Sequence, residues 1–101
     1  MNISITSRKF KAHNTLKDFI TGEVSSLNKY NDDILNAEVI LSYQNIKDSI
    51  KNAEITIKVP GQTLNATGKS DDFKKSVSST VEKLARQLKK MKSKKTSKRK
   101  W

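Results

Sequence analysis

The stretch AEITIKVPGQTLNATGK, residues 53–69, restricts the fold more than any other part of the chain. Ala53, Ile55, Ile57 and Val59 alternate with Glu54, Thr56 and Lys58, the period-two pattern that places apolar side chains on one face of a strand. Pro60-Gly61 follows as strong turn punctuation, because proline presets its own φ and glycine tolerates a positive one, so the next segment is expected to return antiparallel. Leu64, Ala66 and Gly68 continue the apolar face, and the small residues among them would let a helix approach closely. A hairpin with one apolar face needs further strands and a covering layer.

The remaining sequence supplies both. NISITS (Asn2–Ser7) sets Ile3 and Ile5 against Ser4 and Thr6, and NAEVILSYQ sets Ala37, Val39, Leu41 and Tyr43 against Glu38, Ile40 and Ser42. Between these two strands, Leu16, Phe19, Ile20, Val24 and Leu27 recur at helical spacing, with His13 or Asn14 as the cap. Gly22 lies inside that helix and costs about 1 kcal/mol relative to alanine, so this helix depends on packing. NIKDSIKN reads as a polar connection between the second and third strands. A last, long helix is expected from Ser70 as N-cap, with Asp71 and Asp72 in its first turn and Phe73, Val77, Thr80, Val81, Leu84, Leu88 and Met91 as its buried stripe.

The order is therefore β-α-β-β-β-α. The predicted fold class is α+β: a four-stranded mixed sheet, its first two strands parallel through a right-handed crossover and the rest an antiparallel meander, with two helices packed on one face. The other face, with Ser4, Thr6, Glu38, Ser42, Thr56 and Lys58, is left to water. Its α-β-β-β-α portion is the layout of double-stranded RNA-binding modules, which contact structured RNA through phosphates and 2′-hydroxyls. One domain is expected over residues 1–92, followed at 93–101 by a basic, disordered extension in which the apolar stripe is lost.

Charge narrows the partner. The net charge of +11 is uneven: residues 1–69 hold 9 Lys/Arg against 7 Asp/Glu, whereas residues 70–101 hold 12 against 3. A concentrated positive field attracts polyanions and makes their binding salt-dependent, so nucleic acid is the expected partner. Lys75, Lys83, Arg86, Lys89 and Lys90 project away from the last helix's buried stripe, where they would track a sugar-phosphate backbone without reading sequence. The late lysines also complement the helix dipole, a structural reason for part of this charge.

Catalysis and cofactors find little support. The chain has no cysteine, which excludes disulfides and cysteine-ligated metal. Its single histidine, His13, supplies no triad or metal cluster and reads as a cap or surface residue. Asp32-Asp33 reads as a solvated turn, and GKS (Gly68–Ser70) lacks the upstream glycine spacing of a phosphate-binding loop. No exposed aromatic pair of the kind that stacks single-stranded bases is evident, Tyr43 alone being weak support. No run approaches the roughly 20 apolar residues of a membrane span, and the N-terminus lacks a signal-peptide h-region. The expectation is a cytoplasmic, non-enzymatic protein with no cofactor, no metal and no membrane partner.

KDFITGEVSSLNKY, followed by strands and then AEITIKVPGQTLNATGKSDDFKKSVSSTVEKLARQLKKMKSK, resembles the ribosome hibernation promoting factor family, also called ribosome-associated inhibitor or protein Y. Asp71-Asp72-Phe73 stands where the family has acidic-Asp-Met-Tyr, and EKLARQLKK (Glu82–Lys90) is similar to its DKLxRQLxK. The resemblance runs from residue 1 to about 94 and implies binding to the small ribosomal subunit, against 16S-type ribosomal RNA in the messenger and transfer RNA channel. Translation would then be blocked by occupancy, as in stress and stationary phase. The RNA-binding residues it implies are Lys83, Arg86, Lys89 and Lys90, with Lys92 and Lys94 at the helix end, Lys29 before Tyr30, and Lys69 after Gly68; Lys75 joins them from the charge pattern. Family first helices carry more basic residues, whereas Ser25, Ser26 and Asn28 leave Lys17 and Lys29 nearly alone here. The chain ends too early for the second, dimer-forming domain of long members, so it resembles the short branch. Short members assist ribosome dimerisation with a separate ribosome modulation factor or oppose it, and a monomer is expected off the ribosome. Two other readings stay open: a general structured-RNA-binding module or RNA chaperone, and a protein-binding transcription modulator.

Overall fold

The computed structural model describes residues 1–43 and 50–99, with side chains as far as Met91. Strand β1 (Asn2–Ser7) leads through helix α1 (Asn14–Ser25) and a 3-10 turn (Ser26–Lys29) to β2 (Asn36–Tyr43). Strands β3 (Lys51–Val59) and β4 (Gln62–Ser70) follow, and α2 (Phe73–Arg99) closes the chain. The sheet order is β1-β2-β3-β4, with β1 parallel to β2 and the other pairs antiparallel. This is the mixed sheet expected from the alternation, in the expected β-α-β-β-β-α order.

Register explains why one face is dry. Ile5 lies opposite Val39, Val39 opposite Ile55, and Ile55 opposite Ala66, so a row of apolar side chains crosses all four strands. Both helices cover that face: Ile20 and Val24 from α1, Leu27 from the 3-10 turn, and Val77, Leu84 and Leu88 from α2 are fully buried. Each such aliphatic side chain removed from water contributes roughly 1.5–3 kcal/mol before entropy is counted. On the opposite face Ser4, Glu38, Thr56 and Asn65 form a polar row, with Asn65 Nδ2 donating to Thr56 Oγ1 at 2.7 Å.

The helix–sheet contact is closest at Gly68. A Cβ there would lie 2.5 Å from Thr80 Oγ1 and 2.6 Å from the Ser76 carbonyl oxygen, so only glycine lets α2 settle on β4 at this point. Ser76 and Thr80 are buried polar residues, and both are satisfied by main chain. Ser76 Oγ donates to Lys51 O at 2.7 Å, and Thr80 Oγ1 donates to Ser76 O at 2.7 Å, with Ala53 O at 3.3 Å. Their hydroxyls thus bond to β3 carbonyls and tie α2 to that strand.

Two local expectations are corrected. The N-cap of α2 is Asp72, whose Oδ1 accepts the Lys74 N–H at 2.9 Å; Ser70 is the last residue of β4, and its Oγ accepts the Asp72 N–H at 3.1 Å. The hairpin strand β3 begins at Lys51, two residues before its clean alternation, because Lys51 and Asn52 pair with Tyr43 and Ser42. Of the rest of the expected polar connection, residues 45–49 lie outside the described residues. Helix α2 continues to Arg99, past the 92/93 division drawn where its apolar stripe ends. Backbone hydrogen bonding continues a helix without an apolar stripe, so that division marks side-chain chemistry and not a helix end. Lys100 and Trp101 lie outside the described residues.

Candidate nucleic-acid interface

Helix α2 has three surfaces. Its buried stripe fixes rotation about the axis, and the 100° step per residue then assigns the basic positions. Lys75 and Arg86, 11 residues apart, lie on the outward ridge, interrupted by Glu82. Lys83 and Gln87 flank the stripe toward β4, and Lys74, Ser78 and Lys89 flank it toward α1. All five lysines and arginines at 75, 83, 86, 89 and 90 are exposed.

The β4 flank is already engaged. Lys83 Nζ donates to Thr67 O at 2.6 Å, and Gln87 Nε2 donates to Asn65 O at 3.2 Å. Alternate residues of an edge strand turn their main-chain groups away from the sheet, where an uncovered edge invites pairing with another chain. Lys83 and Gln87 close two of those carbonyls.

The α1 flank carries different contacts. Lys89 Nζ lies 5.2 Å from the Tyr30 ring centroid, and Lys74 Nζ lies 5.7 Å from that of Phe19. Ser78 Oγ donates to Glu23 Oε1 at 2.7 Å. Tyr30 follows directly on the 3-10 turn that holds Lys29, and its N–H donates to Leu27 O at 3.0 Å. Lys29 and Lys89 are therefore brought to one seam, where the 3-10 turn meets α2. A shallow groove of about 380 Å³ between the helices, lined by Phe19, Lys74, Lys75, Ser78, Ser79 and Glu82, is open and holds no acid–base pair beyond surface charges.

Of the nine sequence-predicted positions, the seven whose side chains are described do not form one cluster. Lys29, Arg86, Lys89 and Lys90 gather at the end of the fold where β2 begins, whereas Lys75 and Lys69 lie at the opposite end, where α2 starts. Lys75 Nζ is 3.6 Å from Asp71 Oδ1 in an exposed i,i+4 pair, worth a few tenths of a kcal/mol. Lys69 is exposed on the open face of the sheet, in the row Ser42–Asn52–Lys69. The helical backbone reaches Lys92 and Lys94, whose side chains lie outside the described residues.

Sequence reasoning missed an aromatic cluster. Phe10 stacks on Phe73 with centroids 4.9 Å apart, and Tyr43 meets both edge-on at 5.2 and 5.4 Å. The three residues come from separate segments, so no local pattern announces them. Tyr43's place at the end of the inward-facing set in β2 was the one signal that pointed to it. Among the described residues no group of three or more His, Cys, Asp or Glu gathers to hold a metal ion, and no helix is long and apolar enough to cross a membrane. His13 is the exposed N-cap residue of α1 and makes no side-chain cap bond.

Fold and surface together define a small α+β protein that buries one sheet face under two helices and displays its charge on the second. The family model described as Sigma 54 modulation protein / S30EA ribosomal protein matches residues 3–96. The chain belongs to that family, whose members are ribosome-associated and act without catalysis. It is 26% identical over 97 residues to the ribosome hibernation promoting factor of Pseudomonas putida, covering 96% of this chain and 92% of that protein. It is 28% identical over 94 residues to the factor of the same name from Escherichia coli K12, covering 93% and 96%. Among solved structures, a ribosomal subunit interface protein from Coxiella burnetii superposes with a TM-score of 0.82 at 29% identity, over 92% of this chain and 99% of that one. The N-terminal domain of Thermus thermophilus Protein Y gives 0.80 at 25% identity, over 90% and 99%.

Proposed function

We propose that this protein is a cytoplasmic ribosome hibernation factor that binds the small ribosomal subunit in the messenger and transfer RNA channel. It inhibits translation by occupancy and thereby modulates ribosome dimerisation, with or against a separate modulation factor. Membership of the family and the names of its relatives, hibernation promoting factors and a ribosomal subunit interface protein, support the reading. The observation that carries it is the basic end of α2. Arg86, Lys89 and Lys90 stand on a helix held rigid by the buried Leu84 and Leu88, with Lys29 beside them across Tyr30. A cation on a fixed ridge loses less freedom on meeting a phosphate than one on a loop, and an A-form RNA groove offers a row of such phosphates.

Within this reading the roles divide. Arg86, Lys89, Lys90 and Lys29 make the docking contacts, Lys92 and Lys94 extend them along the helix, and Lys69 and Lys75 act at the other end. Lys83, already bonded to Thr67 O, contributes more to covering the sheet edge than to RNA. Reversal of Arg86, Lys89 and Lys90 to glutamate, followed by co-sedimentation with small subunits, tests the assignment. Loss of co-sedimentation by a folded variant is expected. Equal affinity of the wild-type protein for free structured RNA and for intact subunits would favour a general RNA-binding module instead.

A further inference from the structure

The end of the sheet where β1 and β2 finish and α2 begins carries a second surface. Lys9, with φ of 66°, is the non-glycine residue in the left-handed region among those described. It reverses the chain after β1, so that Phe10 turns inward while Arg8, Lys9 and Lys11 stay exposed. Ser7 Oγ donates to Phe10 O at 2.8 Å and holds the turn. Phe10 stacks on Phe73, which is only 6% exposed and belongs to the core, and both rings support Tyr43, which is 45% exposed. The cluster is thus anchored below and open above.

Cations surround it. Lys51 lies opposite Tyr43 in the register, its Nζ 5.9 Å from that ring centroid and held by a 2.9 Å bond to Asp71 O. The Arg8 N–H donates to Leu41 O at 2.9 Å, which brings Arg8 alongside the end of β2. The nearby carboxylates are occupied among the described residues: Asp71 pairs with Lys75, and Asp72 caps α2. Arg8, Lys9, Lys11 and Lys51 therefore form a basic rim around an exposed ring.

We propose that this end of the protein binds single-stranded RNA, with an unpaired base stacked on Tyr43 and the adjoining phosphates on Arg8, Lys9 and Lys11. Cations alone would attract any polyanion. An aromatic face held in place among them selects a strand whose bases are free to stack, since paired bases are already stacked on their neighbours. The site lies at the opposite end of the fold from Arg86, Lys89 and Lys90, and the inference stands independently of the ribosomal reading.

The test is fluorescence anisotropy of the full chain with a labelled oligouridine of about eight nucleotides. A hairpin RNA and an oligoglutamate peptide serve as comparison ligands. Tyr43→Leu, which keeps apolar contact with Phe10 and Phe73, should weaken oligouridine binding roughly tenfold and leave hairpin binding within about twofold; Tyr43→Phe should bind oligouridine within about twofold of wild type. The pair Lys9→Glu and Lys11→Glu, whose side chains are both exposed, should also lose oligouridine binding, which keeps the proposal testable if Tyr43→Leu unfolds. Oligouridine binding unchanged in Tyr43→Leu and in the lysine pair would overturn the proposal. Oligoglutamate binding as tight as oligouridine, or oligouridine binding abolished by reversal of Arg86, Lys89 and Lys90 alone, would overturn it too.

Discussion

Gly68 of β4 and Thr80 of α2 meet so closely that a β-carbon on the glycine would stand 2.5 Å from the threonine hydroxyl oxygen. Gly68→Ala is therefore expected to destabilise the fold by roughly 1–3 kcal/mol, the usual cost of forcing an extra carbon into a packed interior. Thr80→Ala in the same background should not restore stability, because the Ser76 carbonyl oxygen, 2.6 Å from the same point, is main chain and remains. Urea unfolding midpoints of the single and double variants measure this; recovery in the double variant would contradict the packing described.

Gly22 gives the opposite expectation. It lies within α1, and a Cβ there meets nothing within 4 Å. Gly22→Ala should stabilise the protein by about 0.5–1 kcal/mol through the lower conformational entropy of the unfolded chain. Thermal unfolding reports it as a higher midpoint.

Two caps at the start of α2 separate by role. Asp72→Ala removes the acceptor for the Lys74 N–H and should cost about 0.5–2 kcal/mol. Denaturant unfolding of this variant beside Asp71→Ala distinguishes them, since among the described residues the Asp71 side chain makes only an exposed ion pair and its removal should fall within about 0.5 kcal/mol.

How much of this was legible depended on the range of the interaction. The alternations around Ile55 and Val39 and the helical stripe from Phe73 to Met91 are local patterns, and each element they indicate is present with its apolar residues inward. Gly68 was legible as a small residue where a helix could approach. The choice of Asp72 over Ser70 as cap was not, because it depends on how far β4 extends, which pairing with β3 decides. Lys83 and Lys89 read alike as helix-surface cations. Their separation, one onto Thr67 O and the other over Tyr30, depends on which neighbour flanks each side of α2. The aromatic cluster joins positions 10, 43 and 73, and no local period connects them.

The same division gives a prediction for the two basic positions. Arg86→Gln should weaken binding to small subunits and flatten its salt dependence, the slope of log K against log salt falling by roughly 0.7–0.9 for each phosphate no longer neutralised. Lys83→Gln should change that slope less, because its ammonium already bonds to β4, and should instead raise concentration-dependent association as the sheet edge is uncovered. Sedimentation binding at graded salt reads the first effect and light scattering the second.

The most direct test of the central claim is a sucrose gradient of ribosomal particles with the wild-type protein and with the Arg86→Glu, Lys89→Glu, Lys90→Glu variant, at graded salt. Wild type should migrate with the small subunit and with intact ribosomes, release as salt rises, and alter the proportion of dimeric particles. The folded variant should remain at the top of the gradient. Co-migration of that variant at wild-type level and salt dependence would contradict docking through the basic end of α2.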